Sequence, residues 1–184
     1  MSRARLTLLL ALLATGGCGG PEPSPPALAA PTPPTSPDVS VLEPGELKQL
    51  LEGLRGKVVL VNVWASWAAP SRAEFPDLDV FAREYRDRNV QVLAISVDAP
   101  ESRDSAAVPF VNQRRPGFRV VVRAAGPEQA FRDLLDPTWD GAIPTSFIFD
   151  REGRLRTRMI GPKQRGDFEQ AVAPLVGSPR PRVK

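Results

Sequence analysis

The chain has 184 residues, 42% of them apolar, with 24 lysines and arginines against 21 aspartates and glutamates, for a formal charge of +3. That is the size of one ordinary domain, and so small a net charge gives no reason to expect a nucleic-acid partner. One cysteine, Cys18, and no histidine exclude an internal disulfide and any zinc or copper site built on thiolate or imidazole; no acidic cluster is spaced like a calcium loop.

In chain order, Arg3 and Arg5 precede an apolar run, Leu6 to Ala14, and the small residues Thr15, Gly16 and Gly17. This is the pattern of a secretory signal peptide over residues 1–17. Its apolar run is too short to span a bilayer, and its removal leaves a charge of about +1. Cys18 stands at the cleavage junction, as in a bacterial lipobox. It is the expected lipidation site and membrane anchor, which places the protein in a bacterial cell envelope facing the periplasm. At about 0.8 kcal/mol per buried CH₂ one acyl chain binds marginally, so a stable anchor takes two or three. Residues 18–38 then form a linker: Gly19 to Pro37 holds eight prolines and one charged residue, Glu22. Such a stretch is a polyproline-like spacer, reaching roughly 60 Å at about 3.1 Å per residue.

Residues 39–177 carry the periodicities of a folded domain. Leu47, Leu50, Leu51 and Leu54 mark a helix face that Gly56 ends. Val58 to Trp64 is a continuous β-branched run, the signature of a strand buried on both faces. Phe75, Leu78, Phe81 and Tyr85 line a second helix, which Pro76 should kink. Val90 to Val97 is a strand. Residues 100–115 read as a polar connection with a short helix around Phe110 and Val111, and Phe118 to Val122 as a third strand. Gly126-Pro127-Glu128 opens a helix carrying Phe131, Leu134 and Leu135. Thr145 to Asp150, a turn at Asp150–Gly153 and Arg154 to Ile160 form a hairpin. Phe168, Ala171, Val172 and Leu175 define a last helix, its end weakened by Pro174. Residues 178–184 are a short basic tail, solvated rather than lipid-bound. Two or more strand–helix units followed by a hairpin and helix imply an α/β fold, a mixed central sheet flanked by helices.

Three stretches of this domain resemble the thioredoxin-like superfamily, in its TlpA/ResA-type branch of envelope thiol–disulfide oxidoreductases. Val59 to Trp67 matches the strand entering the redox site. Pro70, Arg72, Glu74 and Pro76 match the start of the site helix. Gly141 to Asp150, with Gly153, matches the loop and strand that bear a cis-proline. The resemblance implies a thioredoxin fold, a cis Ile143–Pro144 bond, and a groove at that loop where the backbone pairs with an extended segment of a partner protein. It also exposes a departure. The family reads Trp-Cys-x-Pro-Cys-Arg-x-Glu where this chain has Trp67-Ala68-Ala69-Pro70-Ser71-Arg72-Ala73-Glu74.

Ala68 has no nucleophile, and disulfide exchange begins with a thiolate. Ser71 is scarcely ionised without a base, and no histidine exists to serve as one. Ser71-Arg72-Ala73-Glu74 instead fits a capping box, with the alternative that the helix starts at Ala68 and leaves Ser71 inside its first turn. Asn62 stands where many thioredoxins have a buried carboxylate. Trp64 reads as core, Trp67 as partly exposed beside the former redox site, and Trp139 as either. Arg72 and Glu74 read as surface residues. No catalytic residue, cofactor or metal is expected. The candidate binding residues are Trp67, Pro70, Arg72, Ile143, Pro144 and Thr145, with the membrane and an extended peptide or envelope protein as partners. Two alternatives are a non-redox enzyme or thiol-ligand binder using a Ser71/Pro144 groove, and a cysteine-substituted variant of an active oxidoreductase.

Overall fold

A computed structural model of the chain describes residues 39–176. The signal segment, Cys18, the linker and the basic tail lie outside the described residues. The β-branched run forms β2 (Val58–Trp64), and all seven of its residues are buried. It lies inside a six-stranded sheet of order β1-β4-β3-β2-β5-β6. β3 (Val90–Ser96) pairs with β2 in parallel. β4 (Arg119–Arg123) and β1 (Ser40–Leu42) continue the parallel half. The hairpin strands β5 (Thr145–Phe149) and β6 (Leu155–Ile160) add the antiparallel half on the other side of β2. Asp150 closes the hairpin, its carboxylate accepting the N–H groups of Glu152 and Arg154 at 3.1 and 2.9 Å. Gly153 takes φ +80° there, where a side chain would be strained.

Alternation along β2 builds two cores, because successive side chains leave opposite faces of a strand. Leu60 and Trp64 point into a layer with Phe75, Leu78 and Phe81 of α2 (Ala69–Tyr85), Val111 of α3 (Val108–Arg114) and Phe168 of α5 (Arg165–Val176). Val59, Val61 and Val63 point into the other, with Leu47 of α1 (Pro44–Gly53), Phe131 and Leu135 of α4 (Glu128–Leu135), and Phe147. Each fully buried Leu or Phe is worth about 1.5–3 kcal/mol. Phe75 joins three aromatics, its ring 4.9 Å from Trp64, 5.1 Å from Phe110 and 5.3 Å from Phe118.

The expected fold class holds, with local differences that have physical causes. β1 was not foreseen: three residues are too few for a period to show, and its place comes from pairing with β4. The connection after β3 is helical for most of its length, a 3₁₀ turn (Pro100–Ser102) and a π turn (Arg103–Ala107) leading into α3. Burial of Ala107 and Val111 holds it down, an anchor spaced too sparsely to read as a helix face. Neither Pro76 nor Pro174 ends its helix.

Phe75→Ala should destabilise the protein by about 3–5 kcal/mol. Val41→Ala, at a position 40% exposed, should fall within about 0.5 kcal/mol of the unsubstituted chain. Urea unfolding of the two variants measures both.

Candidate functional site

β2 ends at Trp64 and the chain turns through residues 65–68 into α2. Asp98, 3% exposed, holds this turn from the end of β3. Its carboxylate accepts the Ser66 N–H at 3.0 Å and the Ser66 hydroxyl at 2.8 Å, and it is bonded to the Ser96 hydroxyl. Arg72 reaches back from α2, donating to the Ser66 carbonyl at 2.7 Å. The turn is thereby fixed with Trp67 on its outside, 67% exposed. Pro70 and Arg72 are exposed beside it, while Trp64 is fully buried.

The capping box is not formed. α2 starts at Ala69 with Ala68 as its N-cap, and the first helical bond runs from the Arg72 N–H to the Ala68 carbonyl. Ser71 therefore sits inside the first turn, 0% exposed, and its hydroxyl has no hydrogen-bond partner among the described residues. Glu74 is not a surface residue either: it is 3% exposed and turned into the core. Its Oε1 accepts from Asn62 Nδ2, and its Oε2 accepts the Lys163 N–H at 2.7 Å. Asn62 also donates to the hydroxyl of Ser146 at 3.0 Å, its direct cross-strand neighbour. One carboxylate thus ties β2, β5, α2 and the turn before α5 together. Burial pushes the Glu74 carboxyl up to about 7, against the opposing pull of the Lys163 N–H and Asn62.

The opposite wall is the loop before β5. The Ile143–Pro144 bond is cis, and Val63 pairs with Thr145, so this loop and the 65–68 turn leave the same end of two paired strands. Around Ile143 the polar groups are used internally. The Ala142 N–H donates to Asp140 Oδ1 at 3.0 Å, the Ala142 carbonyl accepts from Trp139 Nε1 and Thr145 Oγ1, and the Pro144 carbonyl accepts the Gly161 N–H at 2.8 Å. Trp139, 4% exposed, is a core residue pinning the loop. The N–H and C=O of Ile143 itself have no partner among the described residues.

The comparisons fit this geometry. A family model described as Redoxin matches residues 31–175. The chain belongs to the Redoxin family. It is 29% identical over 119 residues to the thiol-disulfide oxidoreductase ResA of Bacillus thuringiensis, a match spanning 65% of this chain and 64% of that protein. It is 25% identical over 137 residues to the thioredoxin-like protein YneN of Bacillus subtilis, covering 74% of this chain and 76% of that one. Among solved structures, a secreted thiol-disulfide isomerase from Corynebacterium glutamicum superposes with a TM-score of 0.60 at 26% identity, covering 68% of this chain and 74% of that one. A thiol:disulfide interchange protein of the thioredoxin family from Chlorobium tepidum gives 0.57 at 28% identity, covering 68% and 84%. This Redoxin member is a thioredoxin-fold protein of the thiol–disulfide oxidoreductase family, and it has Ala68 and Ser71 at the start of α2.

The structure brings Trp67, Pro70, Arg72, Ile143, Pro144 and Thr145 to one end of the sheet, with Pro144 and Thr145 buried. It adds Asp98, Ser66, Ser146 and Lys163, which the sequence reading passed over. Asp98 carried one usable signal, a lone acid just beyond a buried strand. No group of three or more acidic, histidine or cysteine side chains suited to a metal occurs among the described residues.

A capping serine would lose about 1 kcal/mol on conversion to alanine. Ser71→Ala should instead leave stability unchanged or raise it, since it removes a buried hydroxyl without a partner; thermal unfolding decides. Glu74 sets a pH dependence. Its folded value of about 7 lies above the unfolded 4.5, so the carboxyl costs nothing below pH 4.5 and destabilises the fold progressively as pH rises through 7. Glu74→Gln can keep both hydrogen bonds if the Asn62 amide turns over. Relative to wild type, its stability should gain about 2–3 kcal/mol between pH 5 and pH 8.5, by urea unfolding at the two pH values.

Proposed function

We propose that this chain is an exported, envelope-anchored member of its family that binds an extended segment of another protein at the Trp67–Ile143 end of the sheet and performs no thiol–disulfide exchange. The observation carrying this reading is the unpaired backbone of Ile143 between Ala142 and Pro144, whose own polar groups are engaged. A residue before proline is held to extended backbone. In that conformation its N–H and C=O point the same way and can exchange two hydrogen bonds with one residue of an added strand. Trp67 lies on the adjacent turn, exposed and rigidly based, as an aromatic anchor for a side chain of that segment.

The chemistry of the thiol positions supports the second half. Ala68 offers no nucleophile. Ser71 is enclosed, with no base in hydrogen-bond reach, which also argues against a small thiol ligand held by its hydroxyl. The signal pattern and Cys18 support the envelope location, and the secreted character of the Corynebacterium glutamicum relative is in keeping with it.

Full-length protein carrying Cys18→Ser should give no insulin reduction above a protein-free blank. It should bind an unfolded, thiol-blocked polypeptide saturably, about tenfold more weakly after Trp67→Ala, by calorimetric titration. Ala68→Cys with Ser71→Cys should restore measurable dithiol turnover, because a thiol at the α2 N-terminus is stabilised as the anion. Turnover without the added cysteines, or binding indifferent to Trp67, overturns the proposal.

A further inference from the structure

Several cations on the flanks of the domain are held in ion pairs, Arg83 with Asp79, Arg123 with Glu128, Arg158 with Asp136 and Arg165 with Glu84; Arg72, Arg132 and Lys163 are scattered exceptions. Arg55, Arg86, Arg114, Arg115, Arg119 and Arg151 are different. All are exposed, and none has a carboxylate within ion-pair distance among the described residues.

The topology puts these six at one end of the sheet. Arg55 precedes β2, Arg86 follows α2 and precedes β3, Arg114 and Arg115 close α3, and Arg119 opens β4. β5 runs antiparallel, so Arg151, just past its C-terminal end, joins the N-terminal ends of β2, β3 and β4. Hydrogen bonds join these connections into one surface. The Gly56 N–H donates to the Arg151 carbonyl at 2.7 Å and Asn89 Nδ2 to the Gly56 carbonyl at 3.2 Å. Arg86 Nη2 donates to the Gly117 carbonyl at 2.9 Å and Arg83 Nη2 to the Arg115 carbonyl at 3.0 Å. Across four strands the surface is about 15 Å wide, and it lies roughly 20 Å, the length of β2, from the Trp67 turn. Of the carboxylates in these same connections, Asp87 is exposed, Asp150 is held by Arg154 and Arg156, and Glu152 by Arg154.

We propose that this arginine-lined end is a docking face for an anionic phospholipid bilayer, which turns the Trp67–Ile143 end toward the solvent side. A guanidinium fork matches a phosphate with two parallel hydrogen bonds and sheds its hydration readily. Arg114 lies over the Phe110 ring, its Cζ 5.5 Å from the centroid; the other five spread over a strand-end surface that suits a plane of headgroups. Stacked bases are the poorer occupant: the exposed large aromatic among the described residues, Trp67, is at the far end, and single strands are held by aromatic platforms. Anionic leaflets attract each nearby cation by about a fivefold gain in partitioning.

The test is co-sedimentation of the full chain, carrying Cys18→Ser, with phosphatidylcholine vesicles and with vesicles containing phosphatidylglycerol. The apolar segment Leu6–Ala14 contributes equally to every variant. Wild type should favour the anionic vesicles, and the preference should collapse between 50 and 300 mM salt on the order expected for surface charges. Arg55→Gln with Arg119→Gln and Arg151→Gln should reduce it by about a hundredfold at low salt. Lys163→Gln with Arg132→Gln and Arg165→Gln, removing the same charge elsewhere, should reduce it severalfold at most. Equal losses in the two triples reduce the effect to net charge and overturn the proposal. No anionic preference in the wild type overturns it too, as does a base triple that loses binding to single-stranded DNA while keeping the vesicles.

Discussion

The burial of β2 on both faces is the constraint from which the rest of the molecule follows. A seven-residue strand with no exposed side chain must have paired strands on both edges and a helical layer on each face, because unpaired backbone and uncovered apolar surface are both costly. β3 and β5 supply the edges; α2, α3 and α5 cover one face and α1 and α4 the other. The one polar side chain in the run, Asn62, falls on the α2 face by alternation with Leu60 and Trp64. It needs a partner there, and Glu74, one turn into α2, meets it.

That pairing couples the scaffold to the site. A carboxylate buried between β2, β5 and the Lys163 turn is an expensive group to keep, and its raised pKa measures the cost. In return it fixes the azimuth of α2 about its own axis. That azimuth encloses Ser71 and leaves Pro70 and Arg72 on the outside. Asp98 does the corresponding work for the preceding turn. Trp67 is exposed because its neighbours are held, and exposure on a fixed turn serves recognition better than exposure on a loose one.

The two ends of the sheet then differ in kind. One carries an aromatic side chain and an unpaired stretch of backbone, groups that suit a polypeptide. The other collects six exposed arginines without ion pairs among the described residues, where the first has Arg72 alone. A parallel sheet separates them because successive crossovers return the chain to the same end before each strand. The strands' N-terminal connections therefore collect on one side, whatever their order in the chain.

The strands and helices were legible where apolar residues recur at a fixed period: β2, β3, the β5–β6 hairpin, and the faces of α1, α2, α4 and α5. The absence of cysteine at positions 68 and 71 was equally plain, since a missing atom needs no fold to be noticed. β1 and the 3₁₀ and π turns from Pro100 to Ala107 were hidden, because their burial comes from pairing and packing with residues distant in the chain. The misplaced helix start at Ser71 shows the same limit. A serine and a glutamate three apart satisfy the local rule for a cap, and local chemistry cannot tell whether that face of the helix meets water or a strand. The sequence by itself determined that no cysteine stands at positions 68 and 71 and which segments alternate or turn. Only the tertiary structure decided that Glu74 lies inside, that Ile143 keeps its backbone free and that six arginines share one end, because each depends on which elements the sheet brings side by side.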